Sequence, residues 1–138
     1  MKLTNQVVSI ELSKRLKELG VKQESYFEWK NGGVLGGQRP HHSEILPRKR
    51  PPQYGAANQA FSFYAAFTVA ELGEMFLTGY KGTLKFKTYR GTDKEFWISL
   101  SYTENNQLSD SLMFSADTEA NARAKMLIYL IENKLMKA

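Results

Sequence analysis

The sequence predicts an α+β domain, with an antiparallel sheet of four or five strands and three helices, the last packed along the sheet. Apolar residues recur at helical spacing near both ends of the chain, and side chains alternate with a period of two over 84–89 and again over 96–102. The 138 residues are enough for one core. We therefore expect a single domain over 1–138, with a long Gly/Pro/Arg-rich insertion at about 31–58.

The first helix is predicted over residues 6–19. Val8, Leu12 and Leu16 recur every four residues, and charged residues occupy the opposite side. Gly20 stands where a left-handed residue would end the helix, and Val21 can close this cap with an apolar contact.

Two short aromatic runs flank the insertion. Residues 26–29 (YFEW) and 60–64 (AFSFY) both suit buried strands. We expect the two to pair, which makes the intervening segment a long insertion at the tip of a hairpin, without a helix or buried strand of its own.

A second helix begins after a capping box at Thr68–Glu71. The Thr68 hydroxyl can accept from the Glu71 amide, and the Glu71 side chain can reach back. Phe67 and Leu72 have the spacing of a hydrophobic staple. The pattern predicts a helix through Leu77.

The remaining elements complete the sheet and add its main helix. Strands are predicted around 84–89, 96–102 and 112–114, with a turn at 90–94 between the first two. A helix over about 118–136, with Ser115 or Asp117 as its N-cap, is apolar over most of its circumference and should be largely enclosed.

Composition excludes several classes of protein. The chain has no cysteine, which rules out disulfides and thiolate metal sites and agrees with a reducing cytoplasm. Its first residues lack the apolar run of a signal peptide, and no stretch is long enough to cross a bilayer. We expect no membrane partner.

The insertion carries most of the positive charge. Residues 30–58 contain five Lys or Arg and the single acid Glu44, which gives +4 of the chain's formal +5. All four prolines, both histidines and five of the ten glycines also lie there. Long segments of this kind in compact domains are often functional.

The run from Pro47 to Tyr54 (PRKRPPQY) is the sharpest feature of the insertion. Consecutive cations kept extended by prolines, with an aromatic ring nearby, suit the binding of phosphate groups. We predict an anion-binding site in which the basic residues contact phosphate, Tyr54 stacks and the histidines lie alongside: Arg39, Arg48, Lys49, Arg50, Tyr54, His41 and His42.

The other patterns in the chain are weaker evidence for a binding or catalytic site. The glycines at 32–37 lack the Lys-Ser/Thr of a P-loop, and the two histidines lack a third metal ligand. No triad or paired carboxylate stands out, so we predict no catalytic residue, no metal and no cofactor. An enzyme that uses His41 or His42 as acid or base is the weakest alternative.

Three pieces of the chain resemble a group of small phage and prophage proteins: Val8–Trp29 (VSIELSKRLKELGVKQESYFEW), Ala66–Phe76 (AFTVAELGEMF) and Thr118–Met136 (TEANARAKMLIYLIENKLM). The resemblance rests on structural motifs, so no site residue can be carried over from it. It implies an accessory protein in the cytoplasm of an infected bacterium. Some such proteins counteract host defences by binding a defence protein or by sequestering its nucleotide signal.

The leading hypothesis is a non-enzymatic protein that binds a nucleotide or nucleic acid through the insertion. The alternative is an inhibitor or adaptor of a host or phage protein, which would use the aromatic strand 60–64 or the sheet face that carries Trp97. A homo-oligomer follows if the insertion becomes ordered only across a subunit interface.

Overall fold

The computed structural model describes residues 2–32, 42–48, 61–79, 83–104, 107–108 and 112–138. A single 3₁₀ turn, Leu3–Asn5, precedes three α-helices: α1 (Ile10–Glu18), α2 (Val69–Gly79) and α3 (Glu119–Glu132). The strands are β1 (Phe27–Gly32), β2 (His42–Pro47), β3 (Phe61–Ala65), β4 (Thr83–Arg90), β5 (Phe96–Glu104), β6 (Gln107–Leu108) and β7 (Leu112–Ala116). The α+β class and the three helices are confirmed.

The strands form two antiparallel sheets, so the expected single sheet of four or five strands is wrong. The first sheet has the order β2-β1-β3. In the second, β4 pairs with one edge of β5, while β7 and the short β6 pair with successive parts of its other edge. The division follows the packing: Trp29 of the first sheet is buried with Val7 and Ala66 in a small cluster of its own, apart from the main core.

The insertion contains a strand that the sequence interpretation missed. The expected pairing of the two aromatic strands is confirmed as β1 with β3, but β2 lies between them in the chain and pairs with the other edge of β1. Lys30 is opposite Glu44, and their side chains approach to 3.9 Å. Pro47 ends β2 on an edge, where a missing backbone N–H is tolerated. The insertion is therefore not one continuous loop.

The second sheet and the three helices enclose the main core. Ile98 and Leu100 of β5 and Leu127 and Leu130 of α3 are all buried there. Helix α3 packs on β5 and β7, which confirms its predicted place along a sheet. Its N-cap is Thr118, whose hydroxyl accepts from the Asn121 amide, and neither Ser115 nor Asp117 has this role.

The capping box of α2 also anchors the first sheet. The Glu71 carboxylate accepts from the Thr68 amide at 2.7 Å, and the Thr68 hydroxyl accepts from the Glu71 amide at 3.3 Å. The same carboxylate accepts from the Ser25 hydroxyl at 3.1 Å and from the Tyr26 amide at 3.0 Å. One side chain thus fixes both the start of α2 and the entry to β1.

Helix α1 lies against the edge of β3 and against α3. It ends in the predicted left-handed cap: Gly20 has φ +87°, and the Val21 amide donates to the Leu16 carbonyl at 3.0 Å. Arg15 donates through Nη2 to Glu132 of α3 at 2.6 Å. This bond raises the pKa of the Arg15 guanidinium.

Candidate functional site

Most of the predicted anion-binding residues lie outside the described residues: Arg39, His41, Lys49, Arg50 and Tyr54. The backbone of His42 begins β2, opposite Gly32. Arg48 directly follows β2 and is exposed. It is therefore the one predicted ligand-binding side chain for which the structure gives surroundings.

Arg48 continues the ladder between β1 and β2. Its amide donates to the Tyr26 carbonyl at 3.0 Å, one position beyond the Phe27–Pro47 pair. Residues opposite each other in an antiparallel pair project from the same face. Tyr26 is 76% exposed, so an open aromatic ring lies on the same face as the Arg48 guanidinium.

Two lysines of α1 extend this region. Lys17 Nζ lies 5.1 Å and Lys14 Nζ 5.6 Å from the ring centroid of Tyr64 in β3. Lys17 also donates to the Phe63 carbonyl at 3.2 Å, which holds the helix against the edge of the sheet. Lys17 and Arg48 line the same shallow depression of about 70 Å³.

We call this region the basic surface: Lys14, Lys17 and Arg48, with Tyr26 on the strand face of Arg48 and Tyr64 on the opposite face, where its ring contacts the two lysines. The acid that lines the depression is Glu28, which is only 3% exposed. The depression itself is lined by two cations, Lys17 and Arg48, and by this one carboxylate, which leaves an excess of one positive charge. The ring of Tyr64 attracts the two lysines, and the exposed ring of Tyr26 can stack on a base.

The sequence interpretation missed the α1 lysines as part of a site. It placed Lys14 and Lys17 on the solvated side of an amphipathic helix, which is correct for the helix alone. Only the packing of α1 beside β3 brings them to Tyr64 and near Arg48. Tyr26 was predicted to enter the core with its strand, but it lies one residue before β1 and is open to solvent.

A larger cleft, of about 740 Å³, lies where the first turns of α2 and α3 meet the turn between β4 and β5. Its charged lining residues are Arg90, Lys94, Asp117 and Glu119. Equal numbers of opposite charges give this lining no net preference for an anion. Glu119 also forms a salt bridge with Arg123, with 2.8 Å between Oε1 and Nη2.

The two surfaces expected for a protein partner differ in exposure. In the aromatic strand, now β3, Phe63 and Tyr64 are half-buried, and α1 covers its edge. On the face that carries Trp97 the indole itself is half-buried, and Tyr89 and Met113 beside it are 38% and 51% exposed. This face is the better placed of the two for a partner.

Among the residues that the structure describes, no three His, Asp or Glu side chains are grouped to hold a metal ion. None of the described helices has both the length and the apolar character to cross a membrane. Comparison with known protein families, with curated proteins and with solved structures finds no match to this chain.

Proposed function

We propose that this protein binds nucleic acid without catalysing a reaction, through the basic surface and the basic segment that continues from it. The observation that carries the proposal is the convergence of Lys17 and Arg48 on one depression, with the exposed ring of Tyr26 on the strand face of Arg48. Cations from two separate elements meet there, one of them at the start of the run Arg48-Lys49-Arg50. The charge therefore extends from the insertion onto the folded body.

The shape of the basic surface favours a polymer over an enclosed nucleotide. Sites that enclose small ligands usually have volumes of about 300–1,000 Å³. The depression between Lys17 and Arg48 is about 70 Å³, which is too small to surround a base and its phosphates. An extended strand can instead lie across the surface, with its phosphates at the cations and its bases on exposed rings.

The resemblance to phage proteins supplies the setting for this proposal: an accessory protein that acts on nucleic acid inside an infected bacterium. Sequestration of a nucleotide defence signal is the competing form of anion binding. It predicts that mononucleotides or cyclic dinucleotides displace the bound strand at micromolar concentration. Our proposal predicts displacement by oligonucleotides only.

The direct test is fluorescence anisotropy with a labelled 16-nucleotide single strand at low salt. The variant Lys17→Gln/Arg48→Gln should bind about tenfold more weakly, because two phosphate contacts are lost. The matched control is Lys22→Gln/Lys137→Gln, which removes the same charge at exposed positions around a different depression. Equal affinities of the two double variants would refute a role for the basic surface.

A protein partner is the second candidate, favoured by the open face around Trp97. It predicts a stable complex that nucleic acid does not compete with. Binding of a purified host or phage protein that persists after Lys17→Gln/Arg48→Gln, together with no affinity for oligonucleotides, would favour this candidate over ours.

A further inference from the structure

The second sheet has one buried and one open face. Ile98 and Leu100 of its central strand β5 are fully buried on the side that α3 covers. The alternate residues Trp97 and Ser99 project from the other side. The strand register places two rows there, Tyr89-Trp97-Ser115 and Lys87-Ser99-Met113, and we call these six residues the Trp97 face.

The Trp97 face combines aromatic, cationic and hydroxyl groups. Tyr89 and Trp97 are directly opposite each other on neighbouring strands, so their Cβ atoms are separated by about 4.5–5.5 Å. Lys87 is exposed, and its Nζ lies 6.0 Å from the ring centroid of Tyr89. Lys87 is the one charged residue of the six, and Asp93 of the neighbouring turn lies beside the Trp97 ring, so the aromatic rings rather than a net charge recommend this face.

The turn between β4 and β5 holds the edge of the Trp97 ring. Trp97 Nε1 lies 3.4 Å from Asp93 Oδ1, and a Cβ on Gly91 would lie only 2.8 Å from the same Nε1. The absence of a side chain at Gly91 therefore lets the indole lie close to the turn. A ring held in this way loses little freedom when a ligand stacks on it.

We propose that the Trp97 face binds single-stranded nucleic acid, with Tyr89 and Trp97 stacking on bases and Lys87 contacting phosphate. Open sheet faces with neighbouring aromatics are well suited to unpaired bases, since duplex DNA keeps its base faces stacked inside. Ser99 and Ser115 make this face less apolar than the centre of a stable protein interface, so nucleic acid is favoured here over the protein partner named above as the second candidate.

The inference shares its class of partner with the proposed function but rests on different residues. Each can therefore fail while the other stands. Two surfaces on one small domain can bind successive parts of the same strand, which raises the overall affinity through a high effective concentration.

Tryptophan fluorescence tests the inference, because the chain has only two tryptophans. Trp29 is buried, and its Nε1 donates to the Val8 carbonyl at 2.7 Å. Quenching on addition of a 16-nucleotide oligo(dT) therefore reports on Trp97. We expect quenching in the natural protein and none in Trp97→Phe.

Affinities of variants supply the second readout. Loss of a stacking ring costs about tenfold or more, so Tyr89→Leu and Trp97→Leu should bind oligo(dT) at least tenfold more weakly. Trp97→Phe keeps a ring and should stay within about threefold of the natural protein. Gly91→Ala should displace the indole and weaken binding several-fold, while circular dichroism shows an intact fold.

The outcomes separate the two proposals. If oligo(dT) binds without quenching, and Tyr89→Leu has unchanged affinity, the Trp97 face is refuted and the basic surface stands. If the Trp97-face variants lose binding while Lys17→Gln/Arg48→Gln does not, the reverse holds. A duplex that binds as tightly as oligo(dT) and quenches as strongly also contradicts stacking on this face, and no binding of oligo(dT) at low salt contradicts both.

Discussion

Removal of the Glu71 carboxylate should destabilise the fold far more than the loss of an ordinary helix cap. In Glu71→Ala the amides of Thr68 and Tyr26 lose their acceptor, and the hydroxyl of Ser25 keeps only the Ala66 carbonyl. Loss of a helix cap typically costs about 1 kcal/mol, and a hydrogen bond to a charged group contributes about 1.5–3 kcal/mol. Glu71 is half-buried, and water can replace part of these bonds.

We therefore expect the free energy of unfolding of Glu71→Ala to fall by about 3 kcal/mol. Glu71→Gln, which keeps one acceptor oxygen, should lose about half as much. Urea denaturation followed by circular dichroism measures both values, and an unchanged slope confirms that the same surface unfolds.

A double-mutant cycle isolates the capping box from the link to β1. Thr68→Ala removes the reciprocal cap but leaves the Tyr26 amide its acceptor. We expect a coupling energy of about 1 kcal/mol between Thr68 and Glu71, since they share hydrogen bonds. A loss below about 0.5 kcal/mol for Glu71→Ala, the usual range of surface substitutions, would refute the role assigned to this carboxylate.

Four further substitutions should alter stability, each measurable by urea denaturation. Lys134 has φ 58° at the end of α3, so Lys134→Gly should stabilise by about 0.5–1 kcal/mol, whereas Gly20→Ala, at φ +87°, should destabilise by about 1 kcal/mol. Gly73→Ala would place a Cβ 2.6 Å from Arg123 Nη1 and should destabilise by up to about 1 kcal/mol, because displacing this guanidinium outweighs the about 1 kcal/mol that alanine gains over glycine in a helix. Ser13 is fully buried, with no bond from its hydroxyl in the described structure, so Ser13→Ala should stabilise by about 1 kcal/mol. An opposite sign in any of these would contradict the stated cause.

Local signals in the sequence were sufficient for most elements. The Thr68–Glu71 box and the glycine after α1 act through neighbouring residues, so their geometry follows from spacing alone. Alternation located β4 and β5, and apolar spacing located α3. The helix α3 was predicted to run to residue 136, but it ends at Glu132. The signal was missed because the left-handed residue after the helix is Lys134, whereas glycine or asparagine usually marks such an end.

The arrangement of the sheets was not predictable in the same way. A single sheet was expected because strands of similar pattern follow one another in the chain. The burial of Trp29 against Val7 gives the first sheet a cluster of its own, and this contact depends on tertiary packing. Strand β2 was missed because Pro40 and Pro47 marked its surroundings as a loop.

The candidate site shows the same limit. The run of cations at 48–50 was visible in the sequence, and Arg48 does open onto a basic surface. The contribution of α1 was not visible, because Lys14 and Lys17 look like ordinary solvated residues until the helix is placed beside β3. The cross-strand pair of Tyr89 and Trp97 likewise required the register between two strands.

The salt dependence of oligonucleotide affinity tests the central claim most directly. Six phosphate contacts, from the cations of the basic surface and of the segment that continues from it (Lys14, Lys17, Arg39, Arg48, Lys49 and Arg50), predict that log affinity falls against log salt with a slope of about −4 for a single strand. Replacing Arg48, Lys49 and Arg50 with alanine should reduce the steepness by about 2. The binding of a polyanion through these cations would be contradicted by an affinity that does not change between about 50 and 300 mM NaCl. A slope that the triple variant leaves unaltered would contradict it as well.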